Sequence, residues 1–431
     1  MIKLDKNSNT DSNQSEKLWS LMDVLRGSMQ VDGSLVAIMA VAVIAKIAHE
    51  EFSHIYKLPK ASQYEELLSL STSHAELELY NFSILKNKLL SSDMIQEIIY
   101  FIHEIDNFSD FSDAVLEYMG DVLGKRGESI TDKVVVEIIK KLAGDLTDTK
   151  VYDSAAGLCA VTSQLNASEL VLEEINMASY TLGKYILILK GKNSEYTLNN
   201  SLLKPRQAAK ADLVITQPPW GLRLSPNDQD ELKSARFLQF DKGGRIPASA
   251  GDALWIQHAL YNMNESGKAI MLMPHGWLFR GGYDAKLRQH LLENDYIEAI
   301  IGLPAGILSI TGIPSVILVL NKNKPKSEQG VVCFVDASQL GTQDKRKKKL
   351  NSDEINLIVS LAKGEKPEHE LFRAALLPEI HKNDNSLNIK QYIQHIDEIE
   401  IPNFKQEHEN LEKTQSAFVI AQSNLMQLLE K

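Results

Sequence analysis

The central part of the chain is predicted to fold as an α/β domain with a seven-stranded, mostly parallel, Rossmann-like sheet. The first observation is that seven short apolar runs alternate with segments of helical pattern from Lys150 onward. That alternation is typical of a buried parallel sheet with helices on both faces. The second is that apolar residues before Lys150 recur at helical spacing, as in LLSSDMIQEIIYFIHEI, which predicts a helical N-terminal domain.

In chain order, the seven expected strands are KVYD, ELVLEE, EYTL, ADLVIT, KAIMLM, YIEAIIGL and SVILVL, and VVCFVD is a candidate for one more. From about Ser352 the sequence is again polar and helical, and it ends in a long charged segment without Pro or Gly. We therefore divide the chain into a disordered N-terminus (1–16), a helical N-terminal domain (17–146), the α/β domain (147–350) and a C-terminal helical region that docks on a partner (351–431).

Composition and charge limit the functional classes. The 431 residues carry 46 Lys and Arg against 57 Asp and Glu, and this net charge of −11 argues against a protein that holds DNA alone. Two cysteines cannot form a disulfide framework or a cysteine zinc site, and we expect no metal. The N-terminus lacks the apolar region of a signal peptide, and the longest apolar run, Leu35 to Ala45, is far shorter than the ~20 residues that span a bilayer. We expect a soluble, cytoplasmic protein without a membrane partner.

A candidate ligand site follows the first expected strand. This strand ends in Asp153 and leads into the small residues of segment 154–160, whose backbone can approach a ligand closely. About 20 residues later, the second strand ends in Glu173 and Glu174, where a carboxylate can accept both hydroxyls of a ribose. The pattern fits a nucleoside-containing cofactor, and an ordinary turn followed by surface acids is the alternative.

The fourth expected strand, ADLVIT, runs directly into Gln217, Pro218, Pro219 and Trp220. Prolines have no N–H donor and a fixed φ, so this turn presents carbonyl acceptors in a rigid backbone. The carboxamide of Gln217 supplies another acceptor, and the indole of Trp220 supplies a flat stacking surface. These groups suit a planar base with an exocyclic amine. A rigid turn with a core tryptophan is the alternative.

The motifs together resemble those of amino-directed, S-adenosylmethionine-dependent DNA methyltransferases. More narrowly, the chain is similar to the modification (M) subunit of type I restriction-modification systems. The resemblance covers residues 18–430 and rests on LWSLMDVLRG, FSDAVLEYMGDVLGKRGESITDK, LFRGG, TGIP and EIHKNDNSLNIKQYI. It implies a methyltransferase sheet that transfers a methyl group from S-adenosylmethionine to the N6 amine of adenine in duplex DNA. It also implies a specificity (S) subunit as partner, with a restriction (R) subunit as a further candidate.

The same resemblance assigns roles to ten residues. In its terms, the cofactor-binding residues are Thr131, Asp153, Ala156, Gly157, Glu174 and Asn200, and the catalytic residues are Gln217, Pro218, Pro219 and Trp220. The target base would be flipped out and stacked on Trp220. Its amine would donate to the Gln217 carboxamide and to the Pro218 carbonyl, without a covalent enzyme intermediate.

Several positions depart from the family pattern. Ser154 and Cys159 replace a Pro and a Gly in the cofactor loop, Asn200 replaces an acid, Gln217 replaces an Asn, and 129–132 lacks the usual aromatic residue and Thr-Pro. A side chain at position 159 would crowd the methionine carboxylate or require a φ that Cys tolerates poorly. These departures motivate a second hypothesis, a catalytically silent M-like protein with a structural or regulatory role.

Two further function classes are less consistent with the sequence. A methyltransferase for protein glutamine or RNA would share the polar-Pro-Pro-aromatic turn, but LFRGG and TGIP argue against it. A nicotinamide dehydrogenase would need a GxGxxG turn after the first strand.

Four other features contain side chains that could be reactive or charged. Cys159 lacks an evident histidine base, and His258 is expected to be structural. Lys345–Lys349 is interpreted as a solvated loop or a contact to the DNA backbone, and Arg280 as a phosphate contact or a local structural residue.

Overall fold

The computed structural model describes residues 8–25, 31–126, 130–308, 311–344, 347–394 and 404–429. The chain divides into two compact units, one through Ile393 and one from Gln394 onward. The first unit contains the sheet and the helices that surround it. The second contains one described helix.

The N-terminal part of the first unit is helical. Its helices are α1 (Ser8–Leu25), α2 (Val31–Ile47), α3 (His49–Lys57), α4 (Lys60–Ser73), α5 (Ser92–His103), α6 (Phe108–Arg126) and α7 (Lys133–Ala143). Helix α2 is buried at nearly every position between Leu35 and Ala45 and forms the centre of this part. Among the described residues no single helix is long and apolar enough to cross a membrane. Helices α2 and α3 pass by length and composition only as a pair, which is bent by 114°.

Helix α1 corrects one expected boundary, because it begins at Ser8, within the segment that we expected to be disordered. Leu18, Leu21 and Leu25 are buried and hold the later turns against α6. Extending an existing helix is much easier than nucleating one, so the polar residues before Leu18 can continue it. Residues 1–7 of the expected disordered segment lie outside the described part.

Among the described residues the sheet has nine strands, two more than expected, and two short strands lie outside it. In chain order the strands are β1 (Lys150–Asp153), β2 (Glu169–Glu174), β3 (Ser194–Leu198), β4 (Ala211–Thr216), β5 (Met263–Pro274), β6 (Ile297–Gly302), β7 (Ser315–Asn321), β8 (Val331–Asp336), β9 (Thr342–Asp344), β10 (Lys347–Lys349) and β11 (Phe372–Leu376). All seven expected runs form strands, and β8 and β11 extend the sheet beside β6. Strand β11 is a half-exposed edge strand without a continuous apolar run, and the pattern therefore did not predict it.

The strand order is β11-β8-β6-β7-β5-β4-β1-β2-β3, and β9 and β10 form a separate hairpin. Strands β3, β2, β1, β4 and β5 are parallel, and β7 runs antiparallel between β5 and β6. The chain leaves β1 toward β2 on one side and returns to β4 on the other. Ligands of open α/β sheets bind at such a reversal, outside the carboxyl ends of the strands.

Helices cover both faces of the sheet, as the apolar runs predicted. The remaining described helices of the first unit are α8 (Met177–Leu189), α9 (Pro226–Leu232), α10 (Gly251–Asn262), α11 (Tyr283–Glu293), α12 (Ser352–Ala362) and α13 (Leu377–Lys382), and the helix of the second unit is α14 (Phe404–Leu429). Tyr152 faces the core that contains α10 and α11, whereas its neighbour Val151 faces the core that contains α7 and α12. Helix α7 thus packs on the sheet, although the sequence analysis placed it in the helical domain. Helix α8 connects the sheet with the N-terminal helical part, because its residues also enter the core around α2.

A helix N-cap lies at the ligand edge of the sheet. Helix α8 begins directly after β2, where the Asn176 side chain accepts hydrogen bonds from the amides of Ala178 and Ser179. Asparagine is a preferred N-cap because it satisfies amides that have no partner within the helix. The cap thereby fixes the start of α8 directly after the carboxyl end of β2.

Candidate active site

A cavity of about 660 Å³ opens at the carboxyl ends of β1, β2 and β4. All ten residues that the sequence analysis selected lie in its wall: Thr131, Asp153, Ala156, Gly157, Glu174, Asn200, Gln217, Pro218, Pro219 and Trp220. They come from five separate stretches of the chain. The fold therefore brings the expected cofactor residues and the expected catalytic turn into one space.

Asp153 ends β1 and is almost fully buried. Burial raises the pKa of its carboxyl group to about 7, because the charged form loses its hydration. One carboxyl oxygen accepts a hydrogen bond from the Ala155 amide at 3.0 Å. The backbone then turns at Gly157, where φ is +55°, a conformation that favours glycine.

Glu174 ties this turn to β2. One of its carboxylate oxygens accepts from the Gly157 amide at 2.9 Å, and the other accepts from the Asn176 amide at 2.7 Å. Glu173 instead accepts from the Tyr152 hydroxyl and from the Asn199 side chain, and it lines a different, smaller cavity. Glu174 therefore lines the larger cavity, whereas Glu173 lines the smaller one.

Cys159 adopts φ = +58°, so one expected consequence of this departure is present. The side chain does not crowd the cofactor loop as expected, because it is buried in the core beside Gly183 and Tyr196. Burial also raises the pKa of the thiol, which opposes a nucleophilic role. The Tyr196 hydroxyl donates to the Gly157 carbonyl at 2.6 Å. This support from β3 was missed, since a tyrosine in a strand gives no motif signal.

The turn that we expect to be catalytic begins at Gln217, whose carboxamide oxygen accepts a hydrogen bond from the Thr131 hydroxyl at 2.6 Å. Pro218 is buried and Pro219 is exposed. The indole nitrogen of Trp220 donates to the Leu272 carbonyl on β5 at 3.0 Å. The partly buried ring of Trp220 packs on the core and also forms part of the cavity wall. The residue is therefore consistent with both expected roles, a core tryptophan and a stacking surface.

An ion-pair network with two buried carboxylates lies behind this turn. The Gly221 amide donates to Asp252 at 3.0 Å, and the other Asp252 oxygen pairs with the Arg280 guanidinium. Arg280 also lies 2.9 Å from a carboxylate oxygen of Asp284, whose pKa burial raises to about 6. Of the two roles considered for Arg280, this geometry favours the local structural one. Asp252 and Asp284 were missed, because a single carboxylate within a helix has no distinctive spacing.

Asn200 completes the wall on the side of β3. Its side-chain oxygen accepts from the Leu203 amide at 3.1 Å, which forms a local turn. The neighbouring Ser201 hydroxyl donates to the Ser154 carbonyl at 2.6 Å. The loop that contains Ser154 is therefore held at this carbonyl by the segment that follows β3.

The other features lie away from the cavity wall or outside the described part. His258 is buried among aromatic rings, and burial lowers its pKa to about 4, so it is neutral at pH 7. Lys347–Lys349 forms β10, whereas Lys345, Arg346 and Ser129 lie outside the described residues. Within the described ranges no group of three or more His, Cys, Asp or Glu side chains is arranged to hold a metal.

Several known proteins are similar to this chain in amino-acid sequence. Residues 103–400 match the family described as N-6 DNA Methylase. The methylase subunits of type I restriction enzymes MjaVII and MjaVIII, from Methanocaldococcus jannaschii, are 29% and 30% identical. Each alignment covers 74% of this chain and 60% of the relative, so the chain spans about three-fifths of their length.

A solved structure is similar in fold. It is the methyltransferase subunit of a type I restriction-modification system from Streptococcus thermophilus, with a TM-score of 0.70 and 20% identity. The superposition covers 89% of this chain and 99% of that one. These findings confirm the resemblance to type I modification subunits, and the chain belongs to the N-6 DNA methylase family.

Proposed function

We propose that this chain is the adenine-N6 DNA methyltransferase subunit of a type I restriction-modification system and uses S-adenosylmethionine. One observation carries the proposal: the acid-bearing turns after β1 and β2 share one cavity with the Gln-Pro-Pro-Trp turn after β4. Methyl transfer requires a donor site and an amine site in contact. Family membership supports the reaction, and no observation favours the catalytically silent alternative.

The residues of the cavity fit the cofactor. Its volume lies within the ~300–1,000 Å³ typical of small-molecule sites. Asp153 offers a buried carboxyl group to a positively charged amino group, and Glu174 keeps unused lone pairs for ribose hydroxyls. Asn200 lies where it can accept from an adenine amine. When bound, S-adenosylmethionine supplies a methyl group on a positively charged sulfur.

The catalytic turn acts on the target amine. The Gln217 carboxamide and the Pro218 carbonyl accept its two hydrogens, which directs the nitrogen lone pair toward the methyl carbon. S-adenosylmethionine held by Asp153, Glu174 and Asn200 would supply the methyl group, and the amine nitrogen that accepts it would release one proton to water. Trp220 holds the flipped base by stacking, which contributes about 1–3 kcal/mol.

The proposed function includes partners. The net charge of −11 suits a protein that grips duplex DNA together with an S subunit. Helix α14 provides a docking surface, because large apolar side chains along it are 58–65% exposed: Leu411, Phe418, Val419, Ile420 and Met426. An R subunit is a further partner of such an assembly. We place the protein in the cytoplasm, where chromosomal DNA is accessible.

Calorimetric titration with S-adenosylmethionine tests the cofactor half of the proposal. We expect micromolar binding that Asp153→Ala abolishes. A ligand at 100 times its dissociation constant should also stabilise the folded chain by about 2.7 kcal/mol. Absence of heat and of stabilisation at millimolar cofactor, with the S subunit present, would overturn it.

Methylation of duplex DNA tests the second half. The chain and its cognate S subunit are incubated with duplex DNA, single-stranded RNA or protein, and N6-methyladenine is measured by mass spectrometry. We expect methyladenine in duplex DNA alone, and its loss in Gln217→Ala. Cofactor binding without methylation of any substrate would instead support the silent M-like protein.

A further inference from the structure

We propose that Thr131 is a positioning residue that holds the Gln217 carboxamide ready for the target amine. This inference rests on the proposed function, and it assigns Thr131 a role other than the cofactor contact that the family resemblance implies. It also explains how a glutamine can replace the usual asparagine in the catalytic turn.

The geometry that carries the inference is one hydrogen bond between distant parts of the chain. The Thr131 hydroxyl donates to the Gln217 side-chain oxygen at 2.6 Å, across 86 residues of sequence. This is at the short end of the range for O–H···O hydrogen bonds. Both side chains are partly buried and lie in the cavity wall.

Thr131 lies outside the adjacent helix. It directly precedes Asp132, the N-cap residue of α7, and no side-chain cap hydrogen bond is formed there. The Thr131 hydroxyl donates across the cavity to the Gln-Pro-Pro-Trp turn.

The chemistry of glutamine makes such a contact useful. The last torsion of a glutamine side chain is broad, so a free carboxamide samples many orientations. A hydrogen bond to the oxygen helps to orient the group, and a carboxamide oxygen can accept a second hydrogen bond, here from the target amine. Asparagine, shorter by one methylene, would not reach Thr131 from the same backbone position. The residues at 131 and 217 therefore act as a matched pair.

Single substitutions give the first test. Thr131→Val keeps the shape and removes the donor, and we expect kcat for DNA methylation to fall about tenfold. That factor corresponds to the loss of one hydrogen bond worth about 1.4 kcal/mol. The dissociation constant for S-adenosylmethionine should change less than about twofold. Thr131→Ser should restore kcat, because it restores the hydroxyl.

A double-mutant cycle separates positioning from a merely structural role. In the Gln217→Asn background the hydrogen bond is already lost, so Thr131→Val should change kcat by less than about twofold. Free energies of unfolding from the same four proteins give an independent coupling value. Thr181→Val is the matched control, since its hydroxyl donates to Met177 within α8, remote from the turn.

Other results would overturn either the role of Thr131 alone or the proposed function as well. An equal tenfold loss in both backgrounds, or weaker cofactor binding at unchanged kcat, would overturn the role of Thr131 and leave the proposed function intact. A wild-type chain that binds DNA and cofactor with its S subunit but does not methylate would overturn both. Circular dichroism identifies any variant that fails to fold, and Thr131→Ser then carries the comparison.

Discussion

Glu174 accepts a hydrogen bond from the Gly157 amide at 2.9 Å, so the acid at the end of β2 holds the turn that follows β1. Its second oxygen accepts from Asn176, at the start of α8. One carboxylate thus fixes two segments of the cavity wall before any ligand is present. A residue that contacts a ligand and also shapes its site should affect both stability and binding.

Glu174→Gln should therefore weaken both properties. The amide nitrogen of glutamine would face a backbone N–H, which loses one of the two hydrogen bonds and leaves a buried donor unpaired. We expect a loss of about 1–3 kcal/mol in unfolding free energy and at least tenfold weaker binding of S-adenosylmethionine. Urea unfolding and calorimetry measure these effects. Glu195→Gln, at an exposed site on β3, is the control.

The buried carboxyl of Asp153 predicts a pH dependence of stability. Its pKa of about 7 lies above the unfolded value near 4, so the folded chain retains the proton more strongly. The contribution of this carboxyl group to the free energy of unfolding is therefore greatest below pH 4, and it falls as the pH rises through about 7. The total loss is about 4 kcal/mol, from a shift of roughly three pH units.

Urea unfolding between pH 4 and 8 checks this, with Asp153→Asn as the comparison. The asparagine variant should lack this part of the slope, because its amide does not ionise. Identical slopes in the two proteins would show that Asp153 does not titrate in this range.

The network behind the catalytic turn predicts a separable effect on activity. Asp252→Asn keeps an acceptor for Gly221 but removes the charge that pairs with Arg280. Breaking a buried pair costs about 3–5 kcal/mol, and we expect about 1–3 because the Arg280 side chain is 40% exposed. Methylation should decrease more than cofactor binding, since Gly221 directly follows Trp220.

Unfolding, calorimetry and methylation assays on the same preparation test this prediction. Lys286→Met breaks the exposed pair with Asp241 and should change the unfolding free energy by less than about 0.5 kcal/mol. A loss of cofactor binding as large as the loss of methylation would contradict the role of the network at the turn.

Cys159→Gly tests whether the altered cofactor loop impairs the site. Glycine relieves a left-handed conformation that costs other residues about 1–2 kcal/mol, but it loses thiol packing and adds freedom to the unfolded chain. We expect these effects to offset to within about 1 kcal/mol, with cofactor affinity unchanged because the thiol faces the core. Calorimetry decides the point, and a tenfold gain in affinity would show that the thiol obstructs the ligand.

The positions of the expected site residues follow from local sequence in a way that their contacts do not. Asp153, Glu174 and Gln217 each directly end or follow an apolar strand, and parallel strands bring such ends to one edge. The hydrogen bond from Thr131 to Gln217 and the pair of Asp252 with Arg280 join residues 86 and 28 positions apart. No local pattern encodes such a distance.

Local sequence is enough to predict the α/β class, the seven apolar strands and the composition of the two ligand turns, because burial and turn geometry act through neighbouring residues. Long-range packing sets the nine strands of the described sheet, the hydrogen-bond partners of Glu173 and Glu174, and the burial of Cys159 in the core. Those outcomes depend on which face of a strand or loop is covered. That is settled by packing between segments far apart in the chain.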